Sequence, residues 1–276
     1  MDVKEIIINE QIKAKKQYGQ NFLIDKNILK KIVDSSNIEN KNVIEVGPGL
    51  GSLTEYLLLK AKKVVCYEID NDMVNILNNN FDSTNLTILH TDFLKVDLKQ
   101  DINDYFNNEE VILVANLPYY ITTAILTKVL EESKNIKKIV VMIQKEVAKR
   151  LTGKPSTKDY NSLSVLIQYY MDAHILFNVS PKSFIPEPAV DSSVILLERK
   201  EELLPLTNEE YFLKFNRAIF VQRRKTLYNN LKSFFGYDKE IIEPILIKNG
   251  LNLNVRAEEL TVSQIVGLSN DFSLIE

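Results

Sequence analysis

The chain has 276 residues, 45% of them hydrophobic, and a formal charge of −3, which suits one large domain with a sizeable core plus a smaller domain. Its lone Cys66 excludes an internal disulfide, and with His90 and His174 as the only histidines neither a metal centre nor a cysteine protease is expected. The acidic balance argues against indiscriminate polyanion binding, so any nucleic-acid affinity must come from local basic patches; with no leader-like start and no membrane-length apolar run, the expectation is a soluble, cytoplasmic protein.

Residues 1–20 are polar and carry Lys13, Lys15 and Lys16, the composition of a solvated arm. From about Asp25 to Ser36, apolar residues at Ile28, Leu29, Ile32 and Val33 recur at helical spacing behind an aspartate cap. A strand over 42–46 then runs into Gly47-Pro48-Gly49-Leu50-Gly51 and a helix start. Such a turn lets backbone approach a ligand closely at the carboxyl edge of a parallel sheet. The spacing is not the dinucleotide fingerprint, because the third glycine comes one residue early. Pro48 also removes an N–H that a diphosphate cradle would use, which favours a ligand without a diphosphate.

The next strand, 63–68, ends on Glu68, an acceptor suited to two ribose hydroxyls. That position does not separate NAD from S-adenosylmethionine, since both carry an adenosine ribose. A third strand, 86–90, delivers Asp92 and Phe93. Asp92 can accept from an adenine amine, and Phe93 either covers the ring or fills the core. Cys66 and His90 read as core or strand-end residues.

A fourth strand, the apolar run 111–115, leads to Asn116-Leu117-Pro118-Tyr119-Tyr120. Pro118 forbids its continuation and holds Leu117 extended, so the Leu117 carbonyl need not pair in a ladder. The Asn116 amide oxygen and that carbonyl are two uncharged acceptors side by side. They fit a target with two hydrogens on one nitrogen, such as the exocyclic amine of a nucleobase. Accepting both N–H bonds out of plane localises the nitrogen lone pair and aims it at an electrophile. The Tyr119 ring can stack on the base and favour the positive charge that develops.

A helix from near Thr122 precedes a fifth strand over 139–143. The alternation of strands and helices implies right-handed crossovers and a mostly parallel sheet. Gly47, Glu68, Asp92 and Asn116 then fall at the ends of one sheet edge. Lys145, Lys149 and Arg150 lie on a helix that stops at Gly153-Lys154-Pro155. Two further strands, 173–179 and 193–197, flank a stiff proline-rich loop in which Phe184 is either a second stacking ring or a hydrophobic plug; spacing favours the plug. Beyond Leu204-Pro205 the strand signal disappears, so residues 1–204 form one domain and 205–276 a small helical one. Asn208 caps a long helix from Tyr211 to Phe235 with Lys214, Arg217, Arg224, Lys225 and Lys232 on one stripe, a solvated face or a phosphate contact. Shorter helices near 239–248 and 261–268 complete the chain.

These residues together resemble the ribosomal RNA adenine N6-dimethyltransferases of the small-subunit type. The likeness covers nearly the whole chain. It rests on Gly19-Gln20-Asn21-Phe22-Leu23, Glu45-Val46-Gly47-Pro48-Gly49-Leu50-Gly51, Glu68, Asp92, Asn116-Leu117-Pro118-Tyr119, the 184–192 loop and Phe220-Val221-Gln222-Arg223-Arg224-Lys225-Thr226-Leu227. The first and last of these differ in the large-subunit enzymes that confer macrolide resistance. A DNA-adenine methylase uses a similar signature, but Leu117 and the basic C-terminal stretch fit it less well. The resemblance implies a Rossmann-like methyltransferase sheet of seven strands with an antiparallel last strand, followed by a helical domain that grips RNA. It implies S-adenosylmethionine as cofactor, held by Asn21, Leu23, Gly47, Glu68, Asp92 and Asn116. Asn116, Leu117 and Tyr119 would address the target amine, with Phe184 a second stacking ring. The implied partners are small-subunit rRNA and the pre-ribosomal small subunit, approached by a monomer. Ala189 departs from the family's usual basic residue and puts one RNA contact in doubt. A protein that keeps the fold only to bind RNA, as an assembly or transcription factor, is the rival of another class.

Overall fold

The computed structural model describes residues 3–9, 12 and 14–275; Lys13 of the basic arm lies outside them. Its strands are β1 (Phe22–Leu23), β2 (Asn42–Val46), β3 (Lys63–Glu68), β4 (Leu86–His90), β5 (Val111–Asn116), β6 (Ile136–Gln144), β7 (Met171–Val179), β8 (Phe184–Ile185) and β9 (Ser192–Arg199). Seven of them form one sheet in the order β4-β3-β2-β5-β6-β9-β7. β2 runs parallel to β3 and β5, β3 to β4, and β5 to β6, whereas β9, the last strand in the chain, is antiparallel to β6. The mostly parallel sheet is as the strand–helix alternation implied, and the antiparallel last strand is as the family resemblance implied.

The chain leaves β2 toward β3 and β4, then returns to place β5 on the other side of β2. This reversal opens a crevice beyond the carboxyl ends of β2 and β5, where sheets of this kind bind ligands. β2 is buried along its whole length, and β5 is buried up to Ala115. Continuous β-branched runs are what strands covered on both faces require. The helix Lys26–Ser36 begins where expected, with the Asp25 carboxylate accepting the N–H groups of Asn27 and Ile28.

A second, two-stranded sheet was not expected. β1 pairs antiparallel with β8, setting Phe22 opposite Ile185 and Leu23 opposite Phe184. It brings the Asn21-Phe22-Leu23 stretch onto the proline-rich loop.

The chain divides into two compact units, Met1–Ala148 with His174–Arg199, and Lys149–Ala173 with Lys200–Glu276. The boundary drawn at 204/205 differs from this division by the segments 149–173 and 200–204. The first of these contains a helix, Ser162–Tyr170, opened by an Asn161/Ser164 capping box. The second unit is helical around a cluster of rings, with Phe215 stacked on Phe272 and Tyr237 on both Phe235 and Phe272. The long helix expected over 211–235 is in fact two, Glu209–Ile219 and Leu227–Phe235. Thr226 caps the second by accepting the Asn229 N–H, and Asn230 exchanges hydrogen bonds with the Gln222 backbone. The cap and that exchange satisfy backbone groups that the break leaves without helical partners. Lys214, Arg217, Arg224, Lys225 and Lys232 consequently do not share one helical stripe.

Candidate active site

The carboxyl ends of β2, β3 and β5 wall a cavity of about 190 Å³. Gly47, Glu68, Asp92, Asn116, Leu117 and Tyr119 all line it, as do Asn21 and Leu23. The glycine turn forms its floor. Gly47, at φ 68°, donates to the Tyr67 carbonyl, and Gly51, at φ 81°, leaves no room for a side chain against the Phe81 ring.

Glu68 ends β3 nearly buried. One carboxylate oxygen accepts the Gly49 N–H at 3.0 Å and the other the Asp70 N–H at 2.9 Å. Each oxygen retains a further lone pair for a ligand. Burial pushes the pKa of Glu68 up, against the pull of those N–H groups. Asp92 accepts the Leu94 N–H at 3.0 Å through one oxygen, and its other oxygen has the Lys95 ammonium at 3.9 Å. Phe93 is buried edge-on to Tyr67, with ring centroids 5.0 Å apart. It lines the cavity and also packs in the core.

Asn116 is half-buried. Its Nδ2 donates to the Asn21 carbonyl at 3.2 Å, and its Oδ1 has no donor among the described residues. Leu117 donates its N–H to the Met142 carbonyl at 3.1 Å, while its own carbonyl has no partner among the described residues. The helix that follows is tied to the turn through the Thr122 hydroxyl, which donates to the Pro118 carbonyl. Two open, uncharged acceptors therefore stand side by side at the strand end. The Tyr119 hydroxyl is anchored to Ser192 Oγ at 2.6 Å. Burial pushes its pKa up, so the phenol stays protonated across the working range.

A family model described as ribosomal RNA adenine dimethylase matches residues 11–273. The chain belongs to that family. Among its relatives are proteins named ribosomal RNA small subunit methyltransferase A: one from Bacillus cereus is 44% identical, covering 97% of this chain and 94% of its own. Another, from Streptococcus gordonii, is 47% identical over 93% of this chain and 91% of its own. A solved dimethyladenosine transferase from Plasmodium falciparum superposes with a TM-score of 0.73 at 25% identity, over 91% of this chain and 96% of that one. The 23S rRNA methyltransferase ErmE shares the fold, with a TM-score of 0.66 at 24% identity over 92% and 100% of the two chains.

One site residue that the family resemblance implied is not brought to the cavity. Phe184 is 1% exposed, set opposite Leu23 in the β1–β8 ladder and packed in the core under the sheet. In this structure it sits as the plug that spacing alone favoured, away from the place of a second stacking ring. Other residues of this dimethylase-family site were not legible. Lys15, expected in a solvated arm, bonds Asp70 and Asp72 at 2.6 Å each, and Gln20 bonds Asp70 at 2.8 Å. Burial works to raise the pKa of Asp70, but the Lys15 ammonium and the Gln20 and Asp72 N–H groups outweigh it and hold the carboxyl below its usual range. Tyr18 and Tyr120 stand at the mouth, Tyr120 more than half exposed. Glu45, beneath the glycine turn, is fully buried; its carboxyl accepts from Thr54 at 2.6 Å, and burial pushes its pKa up to about 7.

Proposed function

We propose that this protein transfers methyl groups from S-adenosylmethionine to the N6 amines of two adjacent adenosines in a hairpin near the 3′ end of small-subunit rRNA. The product is N6,N6-dimethyladenosine, made on the assembling particle by a monomer in the cytoplasm. The observation that carries this is the pair of open acceptors, Asn116 Oδ1 and the Leu117 carbonyl, at the tip of β5. A base with two hydrogens on one nitrogen satisfies both at once.

The residues present fit S-adenosylmethionine. Glu68 keeps lone pairs for a ribose diol, Asp92 keeps an oxygen for the adenine amine, and the turn with Pro48 in place of an N–H donor suits a cofactor without a diphosphate. Asn21, Leu23 and Gly47 complete the cofactor wall, and Asn116 borders it on the target side. When bound, the cofactor supplies a methyl group activated on a sulfonium.

The target adenine is extruded from its stack and enters against Tyr119. Asn116 Oδ1 and the Leu117 carbonyl each accept one N6 hydrogen, which turns the lone pair out of the ring plane and toward the donor. The Tyr119 ring and both acceptors favour the positive charge that grows on nitrogen. No general base is needed, because the methylated ammonium is acidic enough to lose its proton to water. A second round on the same nitrogen finds one hydrogen left, which either acceptor can hold.

Primer extension through the 3′ hairpin of unmodified small-subunit particles tests this. Incubation with the protein and S-adenosylmethionine should give a stop at two adjacent adenosines. Read-through equal to the no-protein control, with no label transferred from the cofactor, would sink the proposal.

A further inference from the structure

We infer that Ser192 is a positioning residue for methyl transfer: its hydroxyl fixes the plane in which Tyr119 meets the target base. This rests on the function proposed above and adds a residue to it. Ser192 is fully buried and takes no part in the cavity wall, whereas Tyr119 is half-buried and lines it. The bond between their oxygens, 2.6 Å long, joins residues 73 apart in sequence. It lies at the short end of the O–H···O range. The ring is thus turned to the cavity while its hydroxyl is drawn away into the sheet.

The anchor itself is held from both sides. Ser192 opens β9 opposite Gln144 of β6. One residue earlier, the Asp191 carbonyl accepts the Lys145 N–H at 3.0 Å, and its carboxylate pairs with the Lys145 ammonium at 3.1 Å. Tyr119 has no such constraint of its own. Pro118 fixes the backbone before it, but its side-chain torsions are set only by packing and by what its hydroxyl finds. Stacking on a base requires the ring in one plane, and an amine held by two acceptors tolerates little tilt before it leaves the line of attack. A buried hydroxyl fixed by two strands meets that requirement without entering the cavity. The bond also gives the Asp191-Ser192 end of the proline-rich loop a physical link to the Asn116–Tyr119 turn.

The test compares wild type, Ser192→Ala, Tyr119→Phe and the double variant in single-turnover methyl transfer, at saturating cofactor and unmodified small-subunit particles. Both single changes delete the same bond. Each should slow transfer by about tenfold, and the double variant should be no slower than the slower single. Cofactor affinity should be unchanged in all three. A hairpin carrying 2-aminopurine at the target position reports stacking directly: its quenching on binding should weaken equally in both single variants, a change that a purely structural role for Ser192 would not produce. Losses that multiply in the double variant overturn the inference. So does a slow Tyr119→Phe beside a normal Ser192→Ala, which would mean the hydroxyl meets the RNA itself. If Ser192→Ala fails to fold, Tyr119→Phe still removes the bond without touching the sheet, and full rate and quenching in that variant overturn the inference. Wild-type protein that binds cofactor yet transfers nothing fails the proposed function instead, and the 2-aminopurine signal still reads the tether.

Discussion

The two ends of the cavity are fixed by the same device acting over different distances. At the β3 end, the Glu68 carboxylate takes the N–H of Gly49, 19 residues away; at the β5 end, the Asn116 amide gives a hydrogen to the carbonyl of Asn21, 95 residues away. In both, a backbone group immobilises a polar tip and leaves acceptors over. One tip is charged and the other neutral. A carboxylate suits hydroxyls that never react, since a fixed strong acceptor only has to hold them. A neutral pair suits the reacting amine, because it aims the lone pair without adding a charge that must be desolvated when the base enters.

The hardest test of the neutral end is Asn116→Ala. Single-turnover transfer should fall by about 10³-fold, the scale of losing one aligned polar group at a reacting centre, with a much smaller loss of cofactor affinity. Near-normal rates would remove the acceptor pair from the mechanism.

At the charged end, Glu45→Gln should act on stability. The Glu45 carboxyl has a folded pKa of about 7 against an ordinary 4.5, so the folded protein binds the extra proton. Below about pH 4.5 both states hold it and nothing is lost. As pH rises from there through 7, stability declines, and above 7 the whole cost of the buried charge is present. The glutamine variant should escape that decline. It should match wild type in urea near pH 4 and exceed it by about 3 kcal/mol at pH 8. Parallel pH profiles for the two proteins would show that Glu45 carries no such cost.

Glu68→Gln sharpens the contrast further. Both carboxylate oxygens accept backbone N–H groups, and an amide can satisfy only one, so its NH₂ must face either Gly49 or Asp70. Cofactor affinity, read by calorimetry, should drop by about 30-fold, the scale of a charged hydrogen bond lost. Unchanged affinity would mean that the ribose end is held elsewhere.

Distance along the chain also decides what could be read from the residues. Gly47, Glu68, Asp92 and Asn116 were legible because each follows a short apolar strand, and a parallel sheet gathers such ends on one edge. The Asn21 carbonyl was not, because the contact forms only once β1 pairs with β8, and two-residue strands leave no periodic pattern. Phe184 shows the same limit in reverse. Its spacing suggested a plug, family likeness suggested a stacking ring, and the partner that decided the matter, Leu23, lies far away in sequence. The helix break after Ile219 had a local signal, Thr226 three residues before Asn229, but no glycine or proline to announce it. The helix Ser162–Tyr170 was likewise announced only by the Asn161-x-x-Ser164 box. Lys15 was misjudged because a lysine cluster in a polar arm is usually solvated, and Asp70 and Asp72 are fifty-odd residues on.

Lys15→Ala asks what holds the neutral end in place. The arm reaches Asn21 through two attachments: the Lys15 and Gln20 bonds to Asp70, and the β1–β8 ladder with Leu23 and Phe184 in the core. The Lys15 side chain is 36% exposed, so water and salt reach its ion pairs and screen them. The ladder is buried apolar packing, which salt does not weaken. Asn21 should therefore stay put when Lys15 is removed, and transfer should slow by less than about threefold at low salt. At high salt the variant and wild type should become indistinguishable, because the pair that the variant lacks is screened in the wild type. A loss in Lys15→Ala approaching that of Asn116→Ala, and persisting in salt, would reverse the assignment: the arm's ion pair, and not the core beneath it, would then be what orients the catalytic amide.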